Sequence, residues 1–100
     1  MAKITKRTIK WNPSVAADVV SYRVYFEQDP IVVNYTSPFK QVTTTQVVLP
    51  DDIPELGNID GIVNIAVSAI DDAGNESDLV LASFNADFIP PVGVTGLEIL

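Results

Sequence analysis

The sequence predicts an all-β sandwich formed by a single domain. Apolar and polar residues alternate over several short segments, and no stripe with the 3.6-residue period of an amphipathic helix is present. Turn-forming residues separate these segments at short intervals. The chain has 100 residues, of which 47% are hydrophobic, and this is enough for one core. These observations together predict six or seven short strands packed as two sheets.

The predicted strands follow one another along the chain. They span residues 4–11, 20–26, 43–49, 62–70 and 79–88, with weaker candidates at 31–35 and 39–42. Residues 51–60 are predicted as a loop, and residues 71–75 as a hairpin turn. Because side chains alternate across a strand, one face of the second strand carries Val20, Tyr22, Val24 and Phe26, and the other carries Ser21, Arg23 and Tyr25.

Composition argues against several functional classes. The net charge of −7 disfavours nucleic acid as the main partner. The chain has no cysteine and no histidine, so it has no disulfide framework and no Ser–His or Cys–His nucleophile. No Gly-rich phosphate loop occurs, and a sandwich of this size leaves little room for a cleft that holds paired carboxylates. We therefore expect a protein that is not an enzyme and has no cofactor.

The acidic turn at residues 71–78 is the candidate for a metal site. Asp71, Asp72, Glu76 and Asp78 place four carboxylates within eight residues, and carboxylate oxygens are the ligands that calcium prefers. Their spacing does not match that of an EF-hand loop. A polar hairpin turn is therefore the favoured interpretation, and a metal site is the alternative.

Four motifs occur in a characteristic order. They are Ile9-x-Trp11-x-Pro13, Val20-x-Tyr22-Arg23-Val24-Tyr25-Phe26, Val47-x-Leu49-Pro50, and Ile-Ala-Val-Ser-Ala-Ile-Asp-Asp-Ala-Gly-Asn-Glu-Ser at 65–77. In this order they resemble a fibronectin type III domain of the kind found in bacterial and phage proteins. The resemblance covers residues 4–88 and implies strands B, C, C′, E, F and G of an immunoglobulin-like Greek-key sandwich. It also implies that Gly74 and Asn75 take positive φ in the F–G hairpin.

Alternation and resemblance together predict the core. We expect it to contain Ile9, Trp11, Tyr22, Val24, Phe26, Val47, Leu49, Val63, Ile65, Val67 and Ala69. The family usually has a tyrosine at the start of strand F that ties down the preceding loop. This chain has Val63 there, so we expect packing to hold that corner instead.

The two ends of the chain depart from the family. Strand A is expected ahead of Trp11, but strand B uses most of those residues, so strand A is missing at the N-terminus. At the other end, residues 90–100 begin with Pro90-Pro91 and resemble the linker and strand A of a following domain. We therefore divide the chain into a sandwich at 1–89 and a tail at 90–100, a candidate edge strand.

Three interpretations of the tail remain open. It is an accident of where the chain was cut, a strand A that folds back onto its own domain, or a strand that pairs with a neighbouring copy. The N-terminal ten residues carry a charge of +4, whereas all thirteen acidic residues follow Trp11. The favoured interpretation is a solvated strand whose lysines guard a sheet edge. The alternative is contact between the basic start of one subunit and the acidic surface of the next. The candidate interface residues are Val92, Val94, Leu97 and Ile99 in the tail, and Lys3, Lys6 and Lys10 at the basic start.

Two functions fit these expectations, and both use protein surfaces. The first is a non-catalytic structural subunit of a larger assembly, such as a phage virion, where it decorates the capsid or joins the tail. The chain has no secretory leader and no apolar segment long enough to insert in a membrane, which favours a virion location. The second is an adhesion or spacer module of a secreted bacterial protein that binds protein or carbohydrate. Its candidate platform is Tyr25, Tyr35 and Phe39, unless the segment that carries Tyr35 and Phe39 packs over the sheet.

Overall fold

Six strands form two antiparallel sheets in the computed structural model, which describes residues 2–100. The strands are β1 (Arg7–Lys10), β2 (Val19–Gln28), β3 (Phe39–Val42), β4 (Gln46–Leu49), β5 (Asp60–Asp71) and β6 (Val80–Asp87). A one-turn 3₁₀ helix, Pro54–Leu56, lies between β4 and β5. Within the described residues, no helix has the length and apolarity needed to cross a membrane.

The two sheets differ in size. The smaller one pairs β1 with β4, with Ile9 opposite Val47. The larger one has the strand order β3-β2-β5-β6, and its longest ladder joins β2 to β5. The inner faces of both sheets contribute to one apolar core, so the predicted all-β architecture with two packed sheets is confirmed.

The core includes residues from both sheets and from the 3₁₀ helix. Its buried members are Val24, Phe26, Val47, Leu49, Ile53, Leu56, Val63, Ile65, Ala86 and Phe88. Ile53 and Leu56 come from the segment predicted as a loop, yet they are almost fully buried. A single turn that begins at Pro54 is too short to give a periodic pattern, so the sequence did not reveal these two residues. Each buried side chain of this kind contributes about 1.5–3 kcal/mol.

Three predicted strands are shorter than expected or absent. The first covers residues 7–10 instead of 4–11, and the fourth begins at Gln46 because residues 43–45 bend. Residues 31–35 form no strand. Local hydrogen bonds satisfy the backbone there instead: Ser37 N–H donates to the Asn34 carbonyl, and Asn34 N–H donates to the Ser37 hydroxyl (both 3.0 Å). Ser and Asn side chains compete with strand pairing in this way.

Val20 does not face the core. The register between β2 and β5 shifts between Val19 and Ser21, and this irregularity leaves Val20 54% exposed. An extra residue in one strand breaks the two-residue alternation. The predicted pattern therefore holds only from Tyr22 onward, where Tyr22, Val24 and Phe26 are buried.

Tyr25 was predicted to face outward, and it does so without reaching solvent. Its side chain is completely buried, and it packs with Val33 and Ala66. The rings of Tyr35 and Phe39 contact it with centroid distances of 6.2 and 5.3 Å. The segment between β2 and β3 thus covers the outer face of the larger sheet, and Tyr25 is not available as a binding platform.

Candidate functional site: an open groove and a projecting tail

A groove of about 440 Å³ opens along one flank of the molecule, between β1 of the small sheet and β6 of the large one. We call it the flank groove. Its apolar lining includes Ile9, Trp11, Val67, Ala69, Val80 and Leu81. Within the described residues, β1 pairs only with β4, and β6 pairs only with β5. Both strands that border the flank groove therefore have a free edge, and an unpaired edge accepts another strand.

The flank groove explains why part of the predicted core is only half-buried. Ile9 and Trp11 on β1, and Val67 and Ala69 on β5, were predicted as core residues. All four are of intermediate exposure, and all four line the flank groove. The prediction that these side chains point inward is correct, but among the described residues no further strand of the sandwich covers them on this side.

The backbone of β1 points half of its hydrogen-bonding groups into the open edge. Trp11 N–H donates to the Thr45 carbonyl on the β4 side (3.0 Å). Because bonded and non-bonded positions alternate in an antiparallel pair, Arg7 and Ile9 also face β4, and Thr8 and Lys10 face the free edge. On the other edge of β4, the Asp52 carboxylate accepts from Val48 N–H (2.6 Å). Within the described residues, the edge of β4 thus has a side-chain cap that the edge of β1 lacks.

Trp11 sits at one end of the flank groove. Its ring packs edge-on against Tyr22, with centroids 5.7 Å apart, and the Tyr22 hydroxyl accepts a hydrogen bond from Ser14 N–H (3.1 Å). The indole Nε1 of Trp11 is buried without an acceptor among the described residues. Buried donors of this kind are normally paired.

Arg7 lies beyond the opposite end of the flank groove, where β1 approaches β6. Its guanidinium lies 4.9 Å from the centroid of the Phe84 ring, and it donates to the Asn85 carbonyl (3.5 Å). Trp11, in contrast, lines the groove together with Val80. Along the flank groove the chain therefore runs from Arg7 to Trp11 on β1, and from the Trp11 end to the Arg7 end on β6. The two bordering strands have opposite directions.

The carboxylates of the acidic turn do not converge on a metal. Asp71 accepts from Asn75 N–H (2.7 Å), Asn75 Nδ2 (3.0 Å) and Ala73 N–H (3.0 Å). These hydrogen bonds, that from the Asn75 side chain first, lower the pKa of Asp71. Within residues 2–100, no group of three acidic, histidine or cysteine side chains is placed to hold a metal ion. Gly74 has a φ of 84°, whereas the positive φ expected for Asn75 is wrong.

Glu76 points away from that turn and holds the outer face of the larger sheet. Its carboxylate accepts from the hydroxyls of Tyr25 and Ser68 (both 2.5 Å) and from Arg23 (3.3 Å). Burial, and then the hydrogen bond to Glu76, raise the pKa of Tyr25. The sequence placed Glu76 with Asp71, Asp72 and Asp78 as a candidate ligand, but the structure gives it a different set of partners.

The tail projects away from the folded body. Phe88 is the last buried residue, and its N–H donates to the Ile59 carbonyl (3.1 Å). Beyond it the chain forms no strand, and Val92, Val94, Leu97 and Ile99 are each at least 84% exposed. The molecule is consequently 68 Å long but only 26 by 17 Å across.

The basic start of the chain remains at the surface. Lys6 forms an ion pair with Asp51 (2.8 Å) between two half-exposed side chains, and Lys3 and Lys10 are exposed. Lys10 shares the outward-facing side of β1 with Thr8, and Lys6, just before β1, has the same parity. The structure thus places one of the predicted basic interface residues, Lys10, in the lining of the flank groove and leaves the tail residues apart from it. Comparisons with family models, characterised proteins and solved structures each find no match to this chain.

Proposed function

We propose that this protein is a non-catalytic structural module that acts through strand pairing as a small subunit of a larger assembly, such as a phage virion. The exposed tail carries the proposal. Four large apolar side chains stand almost fully in solvent, on the same molecule as a sheet edge with free hydrogen-bonding groups. Clustered exposed apolar residues and free edges are both features of surfaces that bind other proteins.

We further propose that the sandwich has the Greek-key topology of a fibronectin type III domain. The pairing of β1 with β4 supports their assignment as strands B and E. The order β3-β2-β5-β6 supports C′, C, F and G for the other sheet. In this assignment the position of strand A is the flank groove.

The mass of the protein in solution tests the proposed function. We expect light scattering during size exclusion to give an assembly for the 100-residue chain and a monomer for a version that ends at Pro91. The double variant Leu97→Asp/Ile99→Asp should also be monomeric, because it places charges where apolar contacts form. The matched control Gly93→Asp/Thr95→Asp adds the same charge at polar positions of the tail and should still assemble. A monomer at every concentration for the unaltered chain contradicts this function.

Adhesion to carbohydrate is the second candidate function. Tyr35 and Phe39 are about half-exposed, and their rings contact the buried Tyr25 edge-on and at a tilt, respectively. Partly exposed aromatic rings of this kind are platforms on which sugars stack. A monomeric chain whose Tyr35 and Phe39 NMR resonances shift on addition of oligosaccharide supports adhesion instead of assembly.

A further inference from the structure

We infer that the flank groove binds the tail of a second copy of this chain, which adds to β1 as an antiparallel strand and links the copies head to tail. This inference rests on the proposed function, because it names the partner and the site through which the module assembles. It is carried by the direction of the bordering strands, the side-chain pattern of the tail, and the charge along β1.

For pairing with β1, direction favours a tail that comes from another molecule. β6 ends at Asp87 near the Arg7 end of the groove, and the tail continues away from the body there. A neighbouring copy placed ahead in that direction, with its Trp11 end foremost, receives the tail from its Trp11 side. The tail then runs toward Arg7 of that copy, antiparallel to β1. Antiparallel pairing is the more stable arrangement per residue.

The tail of the same molecule reaches the groove only after a reversal. On reversing after Asp87 it runs parallel to its own β1, which is the weaker pairing, and antiparallel to its own β6. The reversal also has to begin near Pro90-Pro91, where two successive prolines favour an extended, stiff connection. A fold-back strand is therefore the alternative that the experiment below must distinguish.

The tail has the side-chain pattern of a strand that covers an apolar groove. Leu97 and Ile99 share one face, and Glu98 lies on the other. Gly96 has a φ of 67°, in the left-handed region that the first residue of one type of β-bulge requires. One extra residue at Gly96 places Val94 on the same face as Leu97 and Ile99. Three apolar side chains then point into the flank groove, against Ile9 and Trp11.

Charge favours pairing of the added strand with β1 over pairing with β6. With Leu97 and Ile99 inward, Glu98 faces outward, beside Thr8 and Lys10 of β1 and Lys6 just before it. Glu98 lies opposite Lys10, or opposite Thr8 between two lysines if the register is one pair further along. Opposite charges across a strand pair contribute roughly 0.2–1 kcal/mol. β6 presents no lysine or arginine over Val80–Asp87, so pairing with β1 is favoured.

Trp11 gives a second observation at the same place. Its buried Nε1 has no acceptor among the described residues, and it lies at the end where the second copy's tail enters. An added strand brings a carbonyl about every 3.3 Å, which supplies acceptors next to the Trp11 side chain. The contact uses two different surfaces of the chain, so it is heterologous and repeats as a filament or closes as a ring.

Disulfide trapping between separately prepared chains tests this inference. The natural chain has no cysteine, so each introduced thiol is unique. Lys10→Cys and Thr8→Cys chains are each mixed with isotope-labelled Glu98→Cys chains and oxidised, and crosslinks are quantified by mass spectrometry. The matched control is Lys40→Cys, an exposed lysine on β3 at the far edge of the large sheet. We expect labelled–unlabelled links to β1 to exceed those to Lys40→Cys by about tenfold, because docking raises the local concentration of the two thiols.

Each outcome decides between the proposals. Assembly that requires the tail but gives no excess of β1 links overturns the inference and leaves the proposed function standing. A Lys10→Cys/Glu98→Cys double variant that links within one chain at high dilution also overturns it, in favour of the fold-back strand. A chain that never assembles removes the proposed function itself.

As a second readout, the emission of Trp11, which is the only tryptophan, should shift to shorter wavelength as the protein concentration rises. The Leu97→Asp/Ile99→Asp variant should show no shift.

Discussion

The two ends of the apolar interior contain the same kinds of residue, but they differ in how completely the apolar side chains are covered. At the end near Leu49, the 3₁₀ helix brings Ile53 and Leu56 into the core, where both are almost fully buried beside Val47 and Leu49. Along the flank groove, Ile9 and Trp11 are only half-covered. The closed end is complete within one chain, whereas the flank groove is complete only if something is added. The difference separates residues that stabilise the fold from residues that are available for association.

The largest expected difference between these regions comes from one substitution made in each. Leu49 is fully buried, and Leu81 on β6 is 58% exposed at the flank groove. We expect Leu49→Ala to lower the free energy of unfolding by about 2–5 kcal/mol, and Leu81→Ala to change it by about 0.5 kcal/mol or less. Urea denaturation at low protein concentration measures both. Equal losses would mean that the flank groove is already as well packed as the closed end.

Trp11 should give an intermediate effect. A fully buried tryptophan replaced by alanine costs about 3–5 kcal/mol, and we expect Trp11→Ala to cost less because the flank groove leaves its ring half-covered. Trp11→Phe retains the ring contact with Tyr22 and is the matched control with the smaller loss. Thermal unfolding followed by circular dichroism compares them. A Trp11→Ala protein that does not fold would place Trp11 in the closed core instead.

The smallest expected effect on stability comes from Asp71, which lies in the turn that leads to the rim of the flank groove. Its pKa is lowered in the folded state, so its contribution to stability is present above the unfolded-state pKa of about 3.9 and is lost as the pH falls through the folded-state pKa. Asp71→Asn should therefore lower the melting temperature slightly at pH 7, and this difference should shrink in strong acid. Asp72→Asn is the control. If the Asp71→Asn difference persists at low pH, the charged form of Asp71 is not what stabilises the turn.

The alternation of apolar and polar residues was sufficient to predict burial wherever it continues along a regular strand. The long alternations in β2 and β5 predicted the buried faces of Val24, Phe26, Val63 and Ile65 correctly. The alternation failed to predict burial where a short segment decides whether a side chain is covered. One turn of 3₁₀ helix buries Leu56, one register shift exposes Val20, and one irregular segment covers Tyr25. None of these is long enough to produce a period.

The candidate site divides in the same way. The apolar tail and the basic start were recognised from the sequence, because strand-like alternation after a proline pair and clustering of lysines are local properties. The flank groove itself was not predicted from the sequence. Its lining comes from β1, β5 and β6, which are distant in sequence and meet only when the two sheets pack.

The sequence by itself determined the all-β class, the faces of the long strands, and the residues of a strand-like tail. These follow from alternation, turn residues and charge, which act over a few neighbouring positions. Only the tertiary structure decided which of those faces are covered, where the free edges lie, and in which direction the bordering strands run. Those properties depend on which segments meet across the two layers, and no local pattern encodes the coverage that one segment gives to another.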